Sequence, residues 1–188
     1  MNSPNAWRMG FISLLVLVAV EVAALPAHSP RPGGVAVIEV GPASNGVVPR
    51  VRFGETRALL TAEGGRWFAV VGIPLEQPVG EAAVTISIPG EPDYREAFEV
   101  VAHNYREQRL TVENRSYVNP DPAQLERIAS ERQIIDAALS NWRDQPLTDI
   151  AFVAPVEGPR SSSFGLRRFF NEQPRAPHKG MDIAADTG

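Results

Sequence analysis

The chain has 188 residues, 18 basic against 22 acidic side chains and a net charge of −4, and it contains no cysteine. Mild acidity without a basic stripe argues against a nucleic-acid partner. The missing cysteines exclude a disulfide framework and a thiolate metal site, so stability has to come from burial.

At the N-terminus, Arg8 precedes an apolar stretch from Met9 to Val20, followed by small residues around Ala23, Ala24 and Ala27. That stretch is shorter than the about 20 residues that span a bilayer, and the order of charged start, apolar middle and small-residue end is that of a secretory signal peptide over residues 1–27. Cleavage after Ala24 or Ala27 suits it, and an uncleaved anchor is the alternative, because Glu21 sits at the edge of the apolar run. Removing residues 1–27 takes away one arginine and one glutamate and leaves the charge at −4. The chain is therefore expected to be exported, to the periplasm or the extracellular cell wall, meeting a membrane only on the way.

From Val35 to about Val112, short β-type runs alternate with glycine and proline. Val35–Val40, Arg66–Ile73, Ala83–Ile88 and Ala97–Val101 read as strands, and Val84, Ile86 and Ile88 alternate with Thr85 and Ser87 as in a half-buried strand. Turn signals at Gly41-Pro42, Gly64-Gly65, Gly80 and Pro89-Gly90 separate the runs. The expectation is an immunoglobulin-like β-sandwich over residues 33–115. His103 reads as a structural residue at a strand end, and His28 as a residue without an ordered place near the mature N-terminus.

Asn119-Pro120-Asp121-Pro122 opens a linker helix expected within residues 119–146, with Asp121 as cap and Pro122 at the first turn. Leu125, Ile128, Ala129, Ile135, Leu139 and Trp142 recur at helical steps, and this stripe predicts packing on one or both flanking domains. Arg127 with Glu131 and Arg132 with Asp136 are spaced to pair. From Phe152 the chain turns β-like again, so a second domain is expected over 150–188. The overall fold class is mainly β: a sandwich, one helix and the opening strands of a β-rich domain.

Near the C-terminal end, His178 and Asp182 stand four residues apart with Gly180 between them, in a turn after Pro174 and Pro177 running into a strand Met181–Ala185. An imidazole and a carboxylate so placed can share one divalent ion, most naturally zinc, which takes three protein ligands in a catalytic site. The chain's other histidines, His28 and His103, lie far upstream.

The segment His178-Lys179-Gly180-Met181-Asp182, followed by Ile183-Ala184-Ala185 and Thr187-Gly188, resembles the first motif, H-x-G-x-D, of the lysostaphin-type (LytM-like) zinc metallopeptidases, which are murein endopeptidases. Pro155-Val156 with Gly158, and Ser162-Ser163-Phe164-Gly165-Leu166-Arg167, resemble that family's domain entry. Tyr105–Val112 and the Asn-Pro-Asp-Pro helix start are similar, less specifically, to what precedes the catalytic domain in exported members.

The resemblance implies a zinc cofactor (Zn2+) held by His178 and Asp182, and the hydrolysis of peptide bonds in peptidoglycan cross-links. The third ligand and the catalytic histidines are expected downstream of Gly188, so residues 1–188 alone are expected to be inactive, with no catalytic residue inside them. Peptidoglycan stem peptides are the implied substrate, with other cell-wall enzymes as possible partners. Glu172 and Asp186 depart from the family pattern, where glycine and proline are common, and read as solvated loop residues. Arg167 and Arg168 suit either a stem-peptide carboxylate or a solvated strand face. Two other readings stay open: a non-catalytic regulator or peptidoglycan-binding remnant, and a structural periplasmic β-sandwich protein.

Overall fold

The computed structural model describes residues 25–43, 46–146, 150 and 152–187. The expected signal peptide falls mostly on residues 1–24, outside that range. The first half builds seven strands: β1 (Val35–Pro42), β2 (Arg50–Phe53), β3 (Thr56–Arg57), β4 (Leu59–Glu63), β5 (Arg66–Gly72), β6 (Gly80–Ser87) and β7 (Tyr94–Val100). They form two antiparallel sheets, ordered β1-β5-β4 and β3-β2-β6-β7.

One core fills the space between the sheets. Ala36, Ile38 and Val40 of β1 and Ala69 and Val71 of β5 meet Val51, Val84, Ile86 and Val100 from the facing sheet. The alternation on β6 does what its sequence dictates: Val84 and Ile86 are 0% exposed, while Thr85 and Ser87 on the other face are only partly covered. Each such aliphatic side chain contributes roughly 1.5–3 kcal/mol by leaving water. The chain is thus mainly β, as its sequence predicts.

The helix forms, as α1 (Pro122–Leu139), and its start is well made. Asp121 Oδ1 accepts from the Gln124 amide at 2.8 Å, and Gln124 Oε1 accepts in return from the Asp121 amide at 3.0 Å. It ends earlier than expected, at Leu139 rather than near Pro146. The predicted stripe does not pack, because none of the helix residues is buried. Leu125, Ala129, Arg132, Asp136 and Leu139 lie on one series of four- and three-residue steps, so the ion pair of Arg132 with Asp136 occupies the middle of the apolar face.

After the helix the chain returns to the sandwich. Asp144 pairs with Arg57, whose guanidinium also lies 5.8 Å from the centre of the Trp142 ring.

The remaining strands are short: β8 (Glu107–Leu110), β9 (Arg160–Ser162), β10 (Arg167–Phe170), β11 (Gln173–Pro174) and β12 (Asp182–Ile183). Phe152 and Val153, β-like in sequence, lie outside any strand and are over 90% exposed. Strand β8 falls in the range expected for the sandwich, 33–115, but pairs in parallel with β10, which pairs antiparallel with β11. Strand β12 pairs with β9, placing Asp182 opposite Ser162.

Side chains reinforce this unit. Asn171 accepts from the Val112 amide at 2.8 Å and donates to the Val112 carbonyl at 3.0 Å, and Arg175 donates to the Val118 carbonyl at 2.6 Å.

Tyr105 joins the two halves. Its hydroxyl donates to the Pro32 carbonyl at 2.9 Å, and its ring meets Phe164 edge-on at 6.2 Å. Gly165 lies under that ring with φ +82°, and a Cβ there would fall 2.1 Å from Tyr105 carbons.

Candidate metal centre

His178 is fixed through its backbone. Its amide donates to the Leu166 carbonyl at 3.0 Å, and its carbonyl accepts from the Gly165 amide at 2.8 Å. The imidazole is 11% exposed. Nδ1 lies 3.0 Å from the Ser163 carbonyl and 3.1 Å from Ser162 Oγ. A carbonyl can only accept, so this contact calls for a proton on Nδ1 and leaves the Nε2 lone pair to face outward, the tautomer a metal ligand needs.

Asp182 Oδ1 lies 3.1 Å from that Nε2, and the Asp182 side chain is 51% exposed. Ligands about 2.0 Å from a tetrahedral zinc stand roughly 3.3 Å apart, so the two atoms fit one edge of such a site. The donor chemistry, one imidazole nitrogen and one carboxylate oxygen, also suits zinc. Among the described residues no third histidine or carboxylate joins them in a group that could hold a metal ion.

Gly180 plays a different part from the one its sequence position suggests. It does not adopt the left-handed conformation, so the turn does not require a glycine, and a Cβ there would stand 3.7 Å from His178 Nε2. The missing side chain leaves room on the Nε2 side of the ring.

The polar surroundings were not evident from the sequence. Arg168 is the central member: its Nη2 donates to Ser162 Oγ at 3.1 Å, its Nε donates to Gln108 Oε1 at 3.2 Å, and Nη2 lies 3.5 Å from Asp182 Oδ2. It holds both the residue beside Nδ1 and the outer oxygen of the carboxylate. Alternation along β10 was the one available signal, since it sends neighbouring arginines to opposite faces. Arg167 accordingly points away, pairing with Glu107 at 3.3 Å on the solvated face.

Glu172 also lies on that face, 2.5 Å from Arg109, and Asp186 is exposed. His103 sits in the first half, its Nδ1 3.3 Å from Arg31 Nη1 and its ring edge-on to Tyr105 at 4.5 Å. His28, contrary to expectation, has a fixed place: its Nδ1 lies 3.0 Å from the Val37 carbonyl and 3.2 Å from the Val37 amide. Lys179, beside the candidate ligand, reaches Glu76 at 2.9 Å, and its hydrogen bond holds that carboxyl below the usual carboxylate range.

Residues 28–102 match the family model described as the peptidase family M23 N-terminal domain. Among solved structures, a crystal structure of a Pseudomonas aeruginosa protein assigned to peptidase M23 superimposes with a TM-score of 0.57 at 30% identity. That match covers 72% of this chain and 51% of the other, so the chain spans about half the length of that structure. No curated protein sequence gives a significant match.

Proposed function

Because the chain belongs to the LytM-like M23 peptidases, with the family's N-terminal domain at residues 28–102, we propose that it acts in an exported zinc metalloendopeptidase that hydrolyses peptide cross-links in peptidoglycan. His178 and Asp182 are two of the zinc ligands, and the remaining donors come from outside residues 1–188. The observation that supports this reading most directly is the 3.1 Å approach of His178 Nε2 to Asp182 Oδ1, with Nδ1 engaged by the Ser163 carbonyl.

Bound zinc supplies Lewis acidity and an acidified water. The chain's own contribution is positional. The paired backbone of His178 fixes the ring, Ser163 sets the tautomer, Asp182 brings negative charge toward the cation, and Arg168 steadies the carboxylate. The exposed side of Asp182 leaves the centre open to a polymeric substrate. The N-terminal segment would carry the protein across the membrane, and stem peptides of the wall would be its substrate.

Zinc titration of the chain against a chromophoric chelator tests the assignment. Weak binding is expected, because only two protein ligands are present, and His178→Ala should abolish it. Equal affinity of the variant and the unaltered chain would remove His178 from any site. Residues 1–188 incubated with purified peptidoglycan and zinc should release no soluble fragments, and robust cleavage would place the active site elsewhere. Export is checked by N-terminal sequencing of protein recovered from outside the cytoplasm, which should begin after Ala24 or Ala27.

A further inference from the structure

Where the segment after α1 crosses the sandwich, it closes a cleft of about 300 Å³ against β2, β3 and the start of β4. Arg50, Arg52, Arg57 and Arg143 all line it, with Asp144 the one carboxylate among the lining residues, on a chain whose net charge is −4. This is a local concentration of positive charge that the composition does not produce by itself.

The register sharpens the point. Arg52 and Arg57 are direct partners across the β2–β3 pair. Like charges placed opposite each other weaken a strand pair unless an anion sits with them. In this structure an anion does: Asp144, delivered by the returning segment, pairs with Arg57. Arg50, two residues along from Arg52, shares its face, and neither Arg50 nor Arg143 has an ion-pair partner among the described residues.

The cleft is not only basic. Its lining includes Leu59 and the buried Leu60 at the start of β4, which is an edge strand, paired to β5 on one side only, and the buried Ala58 just before it, whose amide already donates to the Val51 carbonyl. Trp142 adds an aromatic face. Edge backbone together with apolar contact is what an extended peptide uses when it lies along a sheet, whereas a phosphate polymer has no use for either.

We propose that this cleft binds an extended peptide bearing carboxylates, which compete with Asp144 for Arg57 and engage the unpaired guanidinia of Arg50 and Arg143. The site uses none of the residues around His178 and does not depend on zinc. Arginine suits the role because its planar fork accepts a carboxylate in a bidentate fashion.

The test is fluorescence anisotropy of the full chain with a fluorescein-labelled Ala-Glu-Ala-Glu-Ala peptide carrying a free carboxyl terminus, compared with the amidated Ala-Gln-Ala-Gln-Ala peptide. The acidic probe should bind saturably, weaken as salt rises, and exceed the neutral probe by roughly tenfold or more in affinity. Replacing Arg50→Ala together with Arg143→Ala should cost roughly tenfold, while Asp144→Asn should hold or tighten binding by freeing Arg57. Equal binding of the neutral probe would overturn the proposal, and so would an unchanged affinity in the double arginine variant. Saturation by tripolyphosphate that the acidic peptide cannot displace would also overturn it, in favour of a phosphate site. The comparison of the two peptides uses the unaltered chain, so it stands even if a variant fails to fold.

Discussion

The two halves of the molecule are held together by different means. The sandwich of β1 to β7 has strands of up to eight residues and a continuous apolar core. The part from Tyr105 onward has strands of two to four residues, and its buried apolar side chains among the described residues are Val118 and Leu166. What the second half lacks in burial it makes up in directed polar contacts: Asn171 on Val112, Arg175 on Val118, Arg168 between Gln108 and Ser162. Such contacts stabilise less than a core does but fix geometry more tightly, which the proposed metal-binding turn requires more than it requires bulk stability.

Damage to the core should have the largest effect. Ile86→Ala empties a fully buried position and should cost roughly 2–5 kcal/mol, read as a lowered urea midpoint for the whole chain. If that variant unfolded only the sandwich while contacts near His178 persisted, the halves would be independent. Gly165→Ala strikes the junction instead. The left-handed backbone and the overlying Tyr105 ring together predict a loss of about 2–4 kcal/mol, seen as faster amide exchange in β8 and β10 with the sandwich protected. Arg168→Ala leaves the apolar core alone and should weaken zinc binding about tenfold, with Arg168→Lys recovering part of it. An unaltered affinity would make Arg168 a purely structural residue. The smallest effect is expected at the turn between β10 and β11, where Asn171 and Glu172 both take positive φ, at 49° and 63°. Asparagine tolerates this and glutamate does not, so Glu172→Gly should raise stability by about 0.5–1 kcal/mol in thermal melts, less whatever the exposed pair with Arg109 gives.

The legible parts of the sequence were those with a local cause. Strands β1, β5 and β6 announce themselves through β-branched runs and alternation, and α1 through its capping residues. Strands β2 to β4 were not legible, because Arg50 and Arg52 flank Val51 with charge and Thr56–Arg57 is too short to show a period. The helix stripe misled because Arg132 and Asp136 occupy its centre, which a count of apolar positions does not register. His178 and Asp182 were visible as a motif. Gln108 was not, because nothing local reveals that β8 will pair with a strand some 60 residues later.

That pairing changes what the helix is. Since β8 and β10 are neighbours in one sheet, the chain between them leaves and comes back to the same spot, and α1 is an excursion rather than a spacer holding two bodies apart. A protease nicking the chain just beyond Leu139 would therefore not release two fragments. The cut ends would stay tethered, one through Tyr105 and the sheet, the other through Asp144 on Arg57.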